Sequence, residues 1–307
     1  MSSRVKKNVA ASVRERLLNI AKGNGEPFDL VLVRYALERF LYRIGISPFA
    51  DRFMLKGALL YLVWGEDAYR PTRDGDLLAS GSSDLRDMEK TFRQVCGVAF
   101  GDGIVFQADS VRAQEIAEEA AYSGIRVNFV ARLDSAIIPV QFDIGFGDAV
   151  TPGPERIQYP VLLDFPAPEL RAYPIFTVVA EKFHAIVVLG MQNSRMKDFY
   201  DLWAMSRRFE FDSAVLSDAI SATFARRKTP LPEGVPIALS AEFSDSPAKG
   251  TQWKAFSRRN QLTGAELTLG DVLTAIRGFV MPVVGALRRG DKLAGAWMPG
   301  GPWSKNK

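Results

Sequence analysis

The amino-acid sequence predicts an α/β protein in which a mixed sheet lies between helical stretches at either end of the chain. Three observations lead there. Apolar residues recur three and four apart over residues 12–44 and again from residue 178 onward, which is the period of an amphipathic helix. Between residues 65 and 145 the runs shorten, alternate apolar with polar, and are bounded by turn residues, as half-buried strands are. One helical pattern lies among those strands, so helix and sheet belong to the same α/β domain.

The first helix is expected over residues 12–23, with Leu17, Leu18 and Ala21 on its apolar face and Ser12 and Glu15 spaced as a capping box. The second covers residues 28–44, where Leu30, Val33, Leu37, Phe40 and Leu41 form a stripe, and it ends near Gly45. Residues 53–64 (FMLKGALLYLVW) read as a third helix, longer than a typical strand and closed by Gly65. Strands are expected at 76–78, 105–108, 125–132 and 139–145, with a helix over 84–95. Six prolines in residues 152–174 mark an extended connector around a short strand. Helical spacing returns at 178–190, 199–209, 213–225 and 270–287, the last with Pro282 as an expected kink. Two domains follow: N-terminal helices plus the acidic core over residues 1–150, and the connector plus a helical region over 151–307.

Composition bounds the chemistry. With 307 residues, 47% hydrophobic and 24% charged, the chain is of the globular kind, which excludes a disordered, collagen-like or coiled-coil chain. Cys96 is the single cysteine, so no internal disulfide or cysteine zinc site can form, and a reducing compartment is expected. No run approaches about 18 uninterrupted apolar residues and the first residues lack a signal-peptide core, so the expected location is the cytoplasm, with no membrane partner. The single histidine, His184, rules out a histidine-rich metal site and leaves metal chemistry to carboxylates.

Charge is unevenly placed: +5 over residues 1–50, −7 over 51–204 and +6 over 205–307. Basic residues cluster at Lys6, Lys7, Arg14 and Arg16 on one flank, and at Arg226, Arg227, Lys228, Arg258, Arg259, Arg288 and Arg289 on the other. Such flanks suit a carboxylate-bearing centre approached by a polyanion, although solvated surface charge can be just as uneven.

Asp74 and Asp76 stand two apart in an expected strand and so leave it from one face. Two such carboxylates repel unless a divalent cation lies between them, an arrangement used in metal-assisted phosphoryl and nucleotidyl transfer; acids exposed at a strand end have the same spacing. Asp143, between Phe142 and Ile144, is expected alone on one face of its strand, either as a third metal ligand or as an acid capping a helix or paired with an arginine. Lys182 is expected at a helix start with its amine free to enter a cleft and bind triphosphate oxygens. Arg195 and Lys197 precede Asp198 and Asp201, which share one helix face; a surface salt-bridge network has the same pattern. His184, inside an apolar helix, reads as a satisfied core histidine.

Four windows, LKGALL (55–60), RPTRDGDLL (70–78), FDIGFGD (142–148) and EKFHAI with RMKDFYDLW (181–186 and 195–203), recur in this order and spacing in a known family. Through them the chain resembles, over about residues 12–210, the AbiEii/AbiGii-type nucleotidyltransferases, the toxin component of type IV toxin-antitoxin systems, including the MenT-like mycobacterial branch. The resemblance implies a DNA polymerase β-like minimal nucleotidyltransferase fold with added helical regions. It also implies that Lys56 and Gly57 contact nucleotide phosphates, that Asp74 and Asp76 hold magnesium, with manganese as a substitute, and that Lys182 binds the triphosphate. Asp198 or Asp201 would orient or activate the acceptor hydroxyl, and Arg73 and Arg195 would face transition-state or RNA phosphate charge.

Two departures stand out: Gly57-Ala58 replaces the Gly-Gly or Gly-Ser of many relatives, and Gly75 occupies the place of an apolar strand anchor, which would let the acidic pair flex. The function expected is transfer of NMP from an NTP to an RNA acceptor, a tRNA 3′ end by the family likeness, in a toxin that has a cognate antitoxin. Transfer to a protein or small-molecule hydroxyl, and a non-catalytic nucleotide- or RNA-binding protein of the same fold, are the alternatives.

Overall fold

The computed structural model describes residues 8–65, 72–118, 122–260 and 267–304; Lys6, Lys7 and Arg70 lie outside them. The chain divides into two units that interlace in sequence, Met1–Gly147 with Glu155–Ala172, and Asp148–Pro154 with Tyr173–Lys307. Residues 155–172 therefore join the first unit, whereas the sequence reading placed them, as a connector around a short strand, with the C-terminal region.

The first unit opens with α1 (Val9–Asn24) and α2 (Phe28–Gly45). Helix α1 begins three residues ahead of expectation because Asn8 caps it, its side chain accepting from the Ala11 N–H at 3.1 Å. Ser12 thus lies within the helix, and the capping box expected at Ser12 and Glu15 does not form.

The expected third helix resolves into strand β1 (Phe53–Lys56), a 3₁₀ turn (Gly57–Leu60) and a single helical turn, α3 (Tyr61–Trp64). Strand β1 lies inside the sheet with neighbours on both sides, so Phe53, Leu55 and Lys56 are all buried and the alternation that marks a strand is lost. Next come β2 (Asp74–Ala79), α4 (Leu85–Cys96, capped by Asp84), β3 (Ile104–Glu118), β4 (Tyr122–Leu133), β5 (Ala136–Phe146), β6 (Glu155–Gln158) and β7 (Glu169–Ala172). These strands form one seven-stranded sheet in the order β3-β4-β5-β2-β1-β7-β6. It is mixed: β2 runs parallel to β5 and β1 parallel to β7, while the other pairs are antiparallel.

Alternation on β4 and β5 sorts the two faces of the sheet. Val127, Phe129, Val140, Phe142 and Ile144 are buried, whereas Arg126, Asn128, Gln141 and Asp143 between them are half-buried. The buried face meets Phe40 of α2 and Phe92 of α4 in an aromatic cluster, with the Phe40 centroid 4.5 Å from Phe129 and 5.2 Å from Phe142. Helix α2 also brings Arg39 and Arg43 onto the wholly buried Asp102: Arg39 Nε and Arg43 Nη1 lie 2.8 Å from Oδ2, and Arg43 Nη2 lies 2.9 Å from Oδ1. Five further hydrogen bonds join side chains of α2 to backbone groups of Val98, Asp102, Ile104, Leu162 and Pro166, which ties those loops to the helix.

The second unit is helical: α5 (Ile175–Leu189), α6 (Met196–Arg208), α7 (Ser213–Arg226), α8 (Ala241–Asp245), α9 (Pro247–Arg259) and α10 (Leu269–Arg288). Strands β8 (Phe211–Asp212), β9 (Ala296–Trp297) and β10 (Trp303–Ser304) make a small second sheet. Helices α8 and α9 lie where few periodic residues marked them. Pro282 sits inside the continuous α10, itself started by a capping box at Thr268 and Asp271. By length and composition alone the segments Ile175–Gln192 and Leu269–Arg288 are apolar enough to cross a membrane. Both also carry the core of this unit, with Phe183, Ile186, Phe279 and Val283 fully buried.

Candidate active site

The sheet brings the acidic residues together by register. Asp76 on β2 lies opposite Asp143 on the parallel β5 and opposite Lys56 on the antiparallel β1, and Asp143 lies opposite Arg126 on β4. Directly opposed residues share a face, so Lys56, Asp76, Asp143 and Arg126 form a row across four strands, cation, two carboxylates, cation. A second row, one pleat along, runs from Asp74 through Gln141 and Asn128 to Arg112 on β3. Sequence spacing placed Asp74 and Asp76 on one face; pairing adds Asp143 about 5 Å from Asp76, the strand separation of a sheet.

Local chemistry sets each side chain. Arg126 grips Asp143 with both nitrogens, Nε to Oδ1 at 2.8 Å and Nη2 to Oδ2 at 2.7 Å, and Gln141 Nε2 adds a contact of 3.3 Å. The arginine partner, one of the readings open for Asp143, is present. The hydrogen bond to Asp143, against a smaller desolvation, and then the charges of Asp143, Asp74 and Asp76 hold the Arg126 guanidinium above its ordinary pKa, so this arginine senses all three acids. Thr72 Oγ1 donates to Asp74 Oδ1 at 2.5 Å and steadies it, and Arg73 reaches Asp29 at 2.6 Å on the exposed edge.

Two glycines shape the centre. A Cβ on Gly57, whose φ is +74°, would stand 1.9 Å from Asp76 Oδ2, so only glycine lets the turn after β1 close on this carboxylate. A Cβ on Gly75 would stand 2.3 Å from Phe142 Cε1. The gap expected at Gly75 is therefore filled: the ring of the neighbouring strand supplies the apolar anchor that the residue itself lacks.

Among the described residues no three of His, Cys, Asp and Glu are grouped so as to hold a metal ion. The pair Asp74 and Asp76 nevertheless fits magnesium arriving with a triphosphate, since that ion takes one or two protein carboxylates and fills its remaining positions with water and phosphate oxygens. Asp143 can join them only by releasing Arg126.

In the second unit, Lys182 stands in the middle of α5, not at its start, and its amine is not free. Nζ lies 2.7 Å from Asp198 Oδ1 and 2.8 Å from Asp201 Oδ2, both on α6, while Arg195 Nε lies 3.0 Å from Asp198 Oδ2. Asp198 and Asp201 are 2% and 0% exposed, which makes this a buried network and not the surface one also considered. Burial by itself would raise the Asp198 pKa; the Lys182 ammonium and then Arg195 outweigh it and hold the group below its ordinary value.

His184 is the satisfied core histidine expected. Nε2 meets Thr229 Oγ1 at 3.0 Å and Nδ1 meets Arg227 Nη1 at 3.2 Å, and burial, then the Arg227 charge, pushes the imidazole down to about 4. Arg227 in turn lies 3.3 Å from Asp148 and 3.7 Å from Glu181, so it serves this interior network and leaves the basic flank to its neighbours.

Missing from the sequence reading were Arg126 and the Gln141–Asn128–Arg112 row. Their signal was present in the alternation of IRVNFVARL, which sets Arg126 and Asn128 on the face opposite Val127, but only strand pairing joins them to Asp143.

An acidic pair on an inner strand of a mixed sheet, with a glycine turn closed on one carboxylate, is consistent with the nucleotidyltransferase class. The chain belongs to the AbiEii family: the model for "Nucleotidyl transferase AbiEii toxin, Type IV TA system" matches residues 39–273. Two solved structures are similar to it. JHP933 from Helicobacter pylori is 13% identical, with 82% of this chain and 90% of that chain covered and a TM-score of 0.44. A candidate nucleotidyltransferase from H. pylori is 14% identical, with 82% and 94% covered and a TM-score of 0.44. No protein of curated function matches the chain.

Proposed function

We propose that this AbiEii-family toxin nucleotidyltransferase moves NMP from an NTP onto an RNA acceptor, a tRNA 3′ end, in the cytoplasm, with its cognate antitoxin as partner. The observation that carries the proposal is the row Lys56, Asp76, Asp143 and Arg126, with Asp74 one pleat away, on one face of the sheet. A binding module that only met RNA would gain nothing from three clustered carboxylates, which repel phosphates.

Asp74 and Asp76 would hold magnesium or manganese, which when bound neutralises charge on the triphosphate and on the leaving group. Lys56 and the Gly57 backbone bind phosphate oxygens on the β1 side of Asp76. The acceptor hydroxyl oxygen bonds to the α-phosphorus, the bridging P–O bond to the β-phosphate breaks, pyrophosphate departs, and the hydroxyl proton passes to water. Arg73 and Arg195 meet RNA or transition-state phosphate charge. Lys182 reaches a triphosphate only by giving up Asp198 and Asp201, and those two acids reach an acceptor hydroxyl only by giving up Lys182.

The test incubates purified protein with total tRNA, Mg²⁺ and each labelled NTP in turn, beside Asp76→Ala. Label entering RNA with the parent and not with the variant, and binding that weakens steeply with salt, are the expected results. Label confined to protein or a small metabolite would replace the RNA acceptor with that hydroxyl, and NTP binding without transfer to any acceptor would make the chain a binding module.

A further inference from the structure

Arg126 has no part in the transfer proposed above, yet it holds Asp143, the carboxylate opposite Asp76. We infer that this pair is a latch: Arg126 keeps Asp143 from the metal site until polyphosphate oxygens take the guanidinium, and Asp143 then joins Asp74 and Asp76. That the polyphosphate belongs to an NTP rests on the transferase reading above.

Register and pairing give opposite answers about Asp143. Parallel pairing sets it beside Asp76, one strand separation of about 5 Å away, with Asp74 one pleat along on the same face, so the backbone offers three carboxylates to one place. Among the described residues, however, no three acids are grouped so as to hold a metal ion. Both oxygens of Asp143 are taken, Oδ1 by Arg126 Nε at 2.8 Å and Oδ2 by Nη2 at 2.7 Å. The backbone is in position and the side chain is occupied.

The pair is built to part. Arg126 makes no other hydrogen bond or ion pair among the described residues, and its side chain is 34% exposed against 14% for Asp143. Water reaches both partners, so separating them leaves no charge in a dry interior, unlike Lys182, whose two acids are 2% and 0% exposed. No strand has to move. Val127 on β4 and Phe142 and Ile144 on β5 are fully buried and fix the two backbones, so release is a turn of the Arg126 side chain. Gln141 Nε2, 3.3 Å from Oδ1, stays on Asp143 and leaves Oδ2 open.

The arriving group supplies both halves of the exchange. A guanidinium fork matches phosphate oxygens as well as it matches a carboxylate. The row runs Lys56, Asp76, Asp143, Arg126, so a polyphosphate received by Lys56 on one side of Asp76 faces Arg126 on the other, and the charges of Asp74 and Asp76 already act on that guanidinium. Arg126 gives up a carboxylate for phosphate oxygens, and Asp143 gives up a guanidinium for a divalent cation. A divalent cation alone supplies only the second half: it would draw Asp143 away and leave Arg126, a like charge, beside it with no anion. Cation and nucleotide therefore bind cooperatively, each raising the affinity of the other by the same factor, and Arg126 carries the coupling as a positioning residue.

The experiment measures binding without turnover. Mn²⁺ is titrated into the full chain, alone and with each α,β-methylene NTP in turn, and bound ion is read from the loss of the free Mn²⁺ resonance signal. Arg126→Gln should tighten binding of Mn²⁺ alone about tenfold, and Arg126→Gln with Asp143→Asn should lose that gain. Asp143→Asn by itself should leave Mn²⁺ alone within about twofold of the parent and weaken Mn²⁺ binding about tenfold when nucleotide is present. If circular dichroism shows Arg126→Gln to be unfolded, Arg126→Lys, which keeps the charge and loses the fork, takes its place with a gain in the same direction. Equal Mn²⁺ affinity of the parent and the Arg126 variant overturns the latch, as does a gain that survives Asp143→Asn, or an effect of Asp143→Asn that is the same with and without nucleotide. If no NTP analogue binds the parent, the transferase reading falls, and the gain at Arg126 with its loss in the double variant still decides the latch.

Discussion

A methyl group added at position 75 would collide with a ring that cannot move. Phe142 is fully buried, and Phe40, Phe92 and Phe129 surround it, so the 2.3 Å approach of a Cβ to Phe142 Cε1 is relieved only by shifting strand against strand. Gly75→Ala should therefore cost about 1–3 kcal/mol, read from urea unfolding, and Phe142→Leu in the same chain should recover part of it. An unchanged midpoint for Gly75→Ala would show that the sheet yields at this point. The residue scale thus corrects an expectation: glycine between the two aspartates, read as a weak anchor, is the space into which a neighbouring anchor fits. At Gly57, which the likeness singles out for a phosphate contact, the structure shows a close approach of the backbone to Asp76.

At the scale of elements, the half-buried Lys182 and the two buried aspartates hold α5 to α6. Removing one partner of a buried ion cluster leaves unpaired charge in a low-dielectric interior. Lys182→Met should lower stability by about 3–5 kcal/mol in chemical denaturation, and adding Asp198→Asn and Asp201→Asn should restore much of the loss. If Lys182→Met unfolds at the denaturant concentration of the parent, the cluster does not hold the helices and Lys182 returns to the phosphate role. The same scale explains why residues 53–64 misled. An apolar run flanked by strands on both sides loses its two-residue period, and length alone then argues for a helix.

Across the whole molecule, protonation couples the two units to pH in opposite directions. His184 is buried at 5% exposure with its pKa lowered to about 4, whereas the unfolded chain protonates near 6.5. The unfolded state binds the extra proton between those values, so this contribution is complete above about pH 6.5 and is lost as pH falls toward 4, by up to roughly 3 kcal/mol. Glu38 runs the other way. Burial, partly offset by the Leu162 N–H and Arg39, raises it to about 7, so its contribution is present at low pH and is lost as pH rises from about 4.5 through 7. Comparing stability against pH for the parent and His184→Gln isolates the first effect: the variant should lose less stability between pH 6.5 and 4. Parallel curves would mean that His184 is solvated in the folded chain.

Composition and spacing by themselves determined that helices flank a mixed sheet, that any metal chemistry must use carboxylates, and that Asp74 and Asp76 share a strand face. These are local or compositional properties, set by backbone period and residue type. Only the tertiary structure decided that residues 155–172 rejoin the first sheet, that Asp143 meets Arg126, and that Lys182 is spent on Asp198 and Asp201. Each depends on which strands and helices become neighbours, and pairing between distant segments is chosen by the packing of the whole chain, which no local period records.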